Sequence, residues 1–114
     1  THLLGYWVRE KQVMSLEVAV YRMTGKTAIM HDLHDRGFIA AGKAADITIF
    51  DPDTITSTPR EPMYSFPGGE MHVKQGATGI NYVIVNGEVL LENGEHTGAL
   101  PGQVLRGPLY QVKK

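Results

Sequence analysis

The sequence predicts an α+β chain, with helices first and short strands after, on three observations. Apolar residues recur at helical spacing through the first third of the chain. Past His34-Asp35-Arg36-Gly37 the pattern changes to short β-branched runs punctuated by Gly and Pro. Asn86-Gly87 then separates two apolar runs, the signature of a two-residue hairpin.

Each element has a local reason. Leu3, Leu4, Trp7 and Val8 suggest the tail of an amphipathic helix, with Arg9 to Gln12 as its polar exit. Ser15 can cap a second helix, because its hydroxyl can accept from a free amide of the first turn. Leu16, Ala19, Val20 and Met23 then form one apolar stripe. Thr24-Gly25 is expected to end it, since Gly tolerates a left-handed cap. A short third helix is expected over 27–33 and a short strand over Phe38-Ile39-Ala40, followed by a turn at Gly42-Lys43. Asp46 to Phe50 is rich in β-branched residues and reads as a strand that Asp51-Pro52-Asp53 stops. Residues 54–79 read as a long irregular stretch broken by three Pro and by Gly68-Gly69, with a short strand near Met71 to Lys74. The hairpin pairs Asn81–Val85 with Glu88–Leu91, and Asn93-Gly94 gives a second tight turn. The tail from Thr97 to Lys114 reads as a wrapping or disordered end.

Composition narrows the function. Hydrophobic residues make up 42% and charged residues 20%, as in a folded chain. A net charge of −1 lacks the clustered basic footprint that nucleic acid requires. With no Cys, the chain can build neither a disulfide nor a thiolate metal site, and a cytoplasmic location is expected. The apolar runs are far shorter than a membrane span, so no membrane partner is expected. The apolar start Thr1-His2-Leu3-Leu4-Gly5-Tyr6-Trp7 runs straight into helical spacing, which reads as a segment of a longer protein.

Groups able to carry chemistry are few. His31, Asp32, His34 and Asp35 form the one dense set of possible metal ligands, and imidazole and carboxylate can both bind zinc. They sit where helix gives way to Arg36-Gly37, however, and His at a helix C-terminus is favoured by the macrodipole. The set is therefore read as capping and solvated. His2, His72 and His96 are isolated in sequence. Gly25-Lys26-Thr27 lacks the strand and the spacing of a phosphate loop, and no Gly-x-Ser-x-Gly elbow is present. No catalytic, cofactor-binding or metal-ligating residue is assigned to this chain.

The run Asp35-Arg36-Gly37-Phe38-Ile39-Ala40-Ala41-Gly42-Lys43-Ala44-Ala45-Asp46-Ile47-Thr48-Ile49-Phe50-Asp51 resembles the C-terminal signature of the amidohydrolase superfamily. In it, Gly42 would turn strand 38–40 beside strand 46–50, Ala45 would allow close packing, and Asp46 and Asp51 would satisfy backbone amides around a buried strand. The hairpin Val83-Ile84-Val85-Asn86-Gly87-Glu88-Val89 resembles the second signature, and residues 52–79 stand where that family carries a variable insertion. Tyr6-Trp7-Val8-Arg9-Glu10, Ser15-Leu16-Glu17, Arg22-Met23-Thr24, Leu33-His34-Asp35-Arg36-Gly37 and the ending from Glu95 to Gly107 are similar to the N-acyl-D-amino-acid deacylases of that superfamily.

The resemblance implies a metal-binding, TIM-like barrel beside a small β-sandwich. Residues 1–34 would be the last barrel helices, and 35–114 the C-terminal part of the sandwich with its tail. It implies that the zinc ligands and the acid/base Asp lie upstream of Thr1, so that this chain alone is structural and inactive. In the parent, the metal would generate the hydroxide that attacks the amide of a small-molecule substrate, an N-acyl-D-amino acid. The implied partners are the remainder of the parent enzyme and further copies of the chain in a homo-oligomer. Two alternatives stay open: a stand-alone β-rich binding or assembly module, and an amidohydrolase of another substrate class, dihydropyrimidinase-like or imidazolonepropionase-like.

Overall fold

The computed structural model describes residues 1–106. The end of the tail, 107–114, lies outside the described residues. Three helical segments come first: Leu3–Glu10, then α1 (Leu16–Met23) and α2 (Gly25–Met30). The first is wound with π-type bonds, the Lys11 amide donating to the Tyr6 carbonyl five residues back at 2.9 Å. Ser15 caps α1 as its sequence suggests, with extended backbone (φ −72°, ψ 160°) and its hydroxyl accepting from the Val18 amide at 3.3 Å.

The expected end of that helix differs. Thr24, at φ −117° and ψ −86°, kinks the chain, and Gly25 opens α2 directly, so the third helix runs Gly25–Met30 rather than 27–33. Gly25 is needed for space, not for a left-handed cap: a Cβ there would lie 2.5 Å from the Phe38 ring. Gly37 meets the same helix, where a Cβ would lie 2.4 Å from that of Ala28. The segment expected to be strand 38–40 therefore crosses α2, and among the described residues it pairs with no strand.

Strands follow: β1 (Ile47–Phe50), β2 (Thr56–Ser57), β3 (Glu61–Met63), β4 (His72–Lys74), β5 (Ala77–Thr78), β6 (Ile80–Val85), β7 (Glu88–Glu92) and β8 (Glu95–His96). The main sheet has the order β1-β6-β7-β8 and is antiparallel throughout. β1 pairs with β6 through Ile47 opposite Ile84 and Thr48 opposite Val83. The 54–79 stretch is not irregular. It folds back on itself as two antiparallel pairs, β2 with β5 and β3 with β4. Both expected turns form. Asn86 and Gly87 take φ of 49° and 84°, and Asn93 and Gly94 take 49° and 88°. The described tail wraps, with the Thr97 hydroxyl donating to the Val89 carbonyl at 2.7 Å.

The core joins helices to the stretch after β1. Leu4, Ala19 and Ile55 are buried to within 5% exposure, with Val8, Leu16, Val20, Phe50 and Ile80 packed around them. Gly5 lets the first helix press on this stretch: a Cβ there would lie 2.7 Å from the Ile55 carbonyl oxygen. The Arg9 guanidinium donates to that same carbonyl at 2.7 Å. Among the described residues the main sheet contributes no fully buried side chain. β1, expected to be buried, keeps Ile49 46% exposed. No helix among the described residues is long and apolar enough to cross a membrane.

Candidate functional site

The densest polar structure lies where the 35–46 segment meets the β6–β7 turn. Arg36 directs a largely covered side chain, 13% exposed, between two carboxylates. Its Nε and Nη2 donate to the two oxygens of Asp35 at 3.1 and 3.0 Å, a fork-to-fork pair, and Nη1 donates to Asp46 Oδ2 at 2.5 Å. The other Asp46 oxygen accepts from the Asn86 amide at 2.8 Å. The Gly87 amide donates to the Ala45 carbonyl at 3.0 Å, and the Asn86 side-chain amide donates to the Pro101 carbonyl at 2.8 Å. Arg36 and Asp46 thus tie the 35–36 segment, the entry to β1 and the hairpin turn together, and the Asn86 side chain adds the tail.

Electrostatics follow from these bonds. Hydrogen bonding from Arg36 holds the Asp35 carboxyl below the ordinary carboxylate range, partly opposed by desolvation. The Arg36 guanidinium is shifted up chiefly by its hydrogen bond to Asp35, so it stays charged. At the far end of β1, the Asp51 carboxylate accepts from the Asp53 amide at 2.9 Å and the Thr54 hydroxyl at 2.8 Å. The bond from the Asp53 amide is the largest cause of the lowered Asp51 pKa. Both Asp46 and Asp51 therefore satisfy backbone amides at the two ends of β1.

The possible ligand set stays dispersed. His34 Nε2 lies 2.9 Å from Asp32 Oδ1 on an exposed turn, while His31 caps α2. His72 stacks on Phe66 with ring centroids 4.3 Å apart, and His96 Nδ1 accepts from the Gly98 amide. Among the described residues no group of three or more His, Asp or Glu side chains converges as a metal site would require. The chemistry available here is positioning. The sequence contained the signal for Arg36, a cation placed before Gly37 and between two acids, but its role as the central donor depends on a fold that brings Asp46 back to it.

Beside this junction, α1 and the β1–β6 face line an open apolar cavity of about 590 Å³. Leu4, Val20, Met23, Phe38, Phe50 and Ile80 line it, together with Asp46.

Residues 1–91 match the amidohydrolase family. The chain is 42% identical to an N-acyl-D-aspartate deacylase and 37% identical to a D-aminoacylase, both from Alcaligenes xylosoxydans xylosoxydans, over 92% and 90% of its length. It spans about a fifth of those relatives, 19% of each. Two solved structures superpose on it. A D-aminoacylase mutant in complex with copper chloride gives a TM-score of 0.72 at 35% identity, over 90% of this chain and 20% of that one. A D-aminoacylase studied for its binuclear metal centre gives 0.67 at 34%, over 85% and 19%. The family match runs unbroken from the first helix through the Arg36–Asp46 junction and into β7, the elements that build both core and junction, and the chain belongs to the amidohydrolase family.

Proposed function

We propose that this chain is the C-terminal part of a metal-dependent amidohydrolase that cleaves the amide bond of N-acyl-D-amino acids, and that within that enzyme it is structural. The observation that carries the reading is its likeness, along nearly the whole chain, to deacylases of acylated D-amino acids. On this reading residues 1–34 close a barrel and 35–114 complete a small sandwich. The Arg36–Asp46 junction lies within the 35–114 part, where it ties the entry of β1 to the β6–β7 turn. Among the described residues no three His, Asp or Glu side chains converge, and in this proposal the zinc ligands would lie in sequence outside this chain. The apolar cavity and the uncovered sheet are the surfaces on which the rest of the enzyme would pack.

The test is an assay of the full-length enzyme on N-acetyl-D-aspartate, N-acetyl-D-glutamate, neutral N-acetyl-D-amino acids and their L counterparts. Release of acetate from D substrates, lost on chelation and restored by zinc, is expected. Hydrolysis of a cyclic diamide instead would favour the dihydropyrimidinase-like alternative. The isolated 114-residue chain should be silent and hold no stoichiometric zinc by elemental analysis. One zinc per chain that is lost in a His31→Ala, His34→Ala double variant would overturn the structural reading.

A further inference from the structure

Two Asn-Gly pairs occupy equivalent turns. Asn86-Gly87 joins β6 to β7 and Asn93-Gly94 joins β7 to β8, each with positive φ at both residues. Such a pair can react without an enzyme. The Gly amide nitrogen attacks the Asn side-chain carbonyl carbon, ammonia leaves, and a five-membered succinimide forms. Water then opens the ring to aspartate or isoaspartate. One water is consumed, one ammonia is released, and no oxidant is required. Gly permits the attack because it carries no Cβ to block it.

The surroundings of the two pairs differ at the reacting atoms. The Gly87 amide, the would-be nucleophile, donates to the Ala45 carbonyl at 3.0 Å. The Asn86 side-chain nitrogen, the would-be leaving group, donates to the Pro101 carbonyl at 2.8 Å. The Asn86 backbone is held by Asp46 as well, and the residue is half-buried. At the second turn, neither the Asn93 side chain nor the Gly94 amide has a hydrogen bond among the described residues, and both residues are exposed. Only the Asn93 backbone amide is engaged, to the Asn81 carbonyl at 2.6 Å, which leaves the reacting atoms free.

We propose that Asn93 is a site of spontaneous deamidation in the folded protein, and that the fold protects Asn86, the same dipeptide in the same turn. The product places a new carboxylate between Glu92 and Glu95, which already face each other across β7 and β8. Isoaspartate also lengthens the backbone of a two-residue turn. β8 is held through two residue pairs, so the change should loosen β8 while β6–β7 stays intact.

The experiment incubates the full-length protein at mildly alkaline pH and maps deamidation residue by residue. Cleavage at Glu88 and Glu92 separates the two Asn, which share one tryptic peptide between Lys74 and Arg106. In the native protein Asn93 should convert at least about tenfold faster than Asn86, the factor expected when one or two hydrogen bonds must first break. In denaturant the two rates should converge. Equal native rates would overturn the proposal, as would a difference that persists unchanged in denaturant.

Discussion

Gly79 and Gly87 both need positive φ, 77° and 84°, but only one of them also needs the space. A Cβ on Gly87 would meet nothing within 4 Å, so substitution there strains the backbone alone. A Cβ on Gly79 would lie 2.5 Å from the Ile55 amide nitrogen, beside the one fully buried large side chain among the described residues. Gly87→Val should therefore destabilise by about 1 kcal/mol or somewhat more, because a β-branched residue disfavours the turn conformation. Gly79→Ala should cost about 3 kcal/mol, since overpacking adds to the same strain. Urea denaturation midpoints of the enzyme carrying each change would measure this. A Gly79→Ala midpoint no lower than that of Gly87→Val would show that the Ile55 backbone yields, against the close packing at Gly79.

At the scale of elements, the fold lowers the pKa of two carboxylates, Asp51 just past β1 through the Asp53 amide and Asp35 through its hydrogen bonds from Arg36. A lowered folded pKa means the contribution is complete above the unfolded value and is lost as pH falls through the folded one. Stability should hold from neutrality down to about pH 4 and fall below it, and Asp51→Asn should flatten that acid limb. An unchanged acid limb in both Asp51→Asn and Asp35→Asn would refute these assignments. Added salt should weaken the Asp35–Arg36 contribution more than that of Asp51, which rests on amide and hydroxyl donors. Elements differ in how legible they were, and for a physical reason. The Asn86-Gly87 hairpin and the Ser15 cap are specified by neighbours in sequence, so their residues announce them. The pairing of β3 with β4 has no such signal, because Glu61 finds Lys74 only after the intervening chain reverses. The 38–40 segment misleads because Phe38 lies against α2 at Gly25, while Ile39 stays exposed and among the described residues joins no sheet. At the candidate site the motif residues were visible, but the bonds from Arg36 to Asp46 and from Asn86 to Asp46 and Pro101 exist only in three dimensions.

At the scale of the molecule, the chain is larger than its length warrants. Its radius of gyration is 16.8 Å, where a compact domain of this size would have about 13 Å. The buried hydrophobics among the described residues are few and small, Leu4, Ala19, Ala28 and Ile55. Trp7, Met23, Phe38 and Ile49 each stay more than 40% exposed. Ile55 covers part of the helical face, at Leu4, but Trp7 and Met23 remain open. Among the described residues β1 pairs with β6 on one side only, which leaves an edge able to accept another strand. Apolar surface of this kind is rarely left in water, and twofold self-association is the commonest way to remove it when no other cover is present. The isolated 114-residue chain should therefore sediment as a dimer or larger at micromolar concentration. Met23→Glu, inside the apolar cavity, and Trp7→Glu, on the first helix, should each shift it toward monomer, because a carboxylate is costly to desolvate at a contact. In the longer enzyme proposed above, the same two changes should lower the unfolding midpoint instead, since on that proposal the packing is within one chain. A cooperatively folded monomer of the isolated chain would overturn this account and would favour a self-sufficient module.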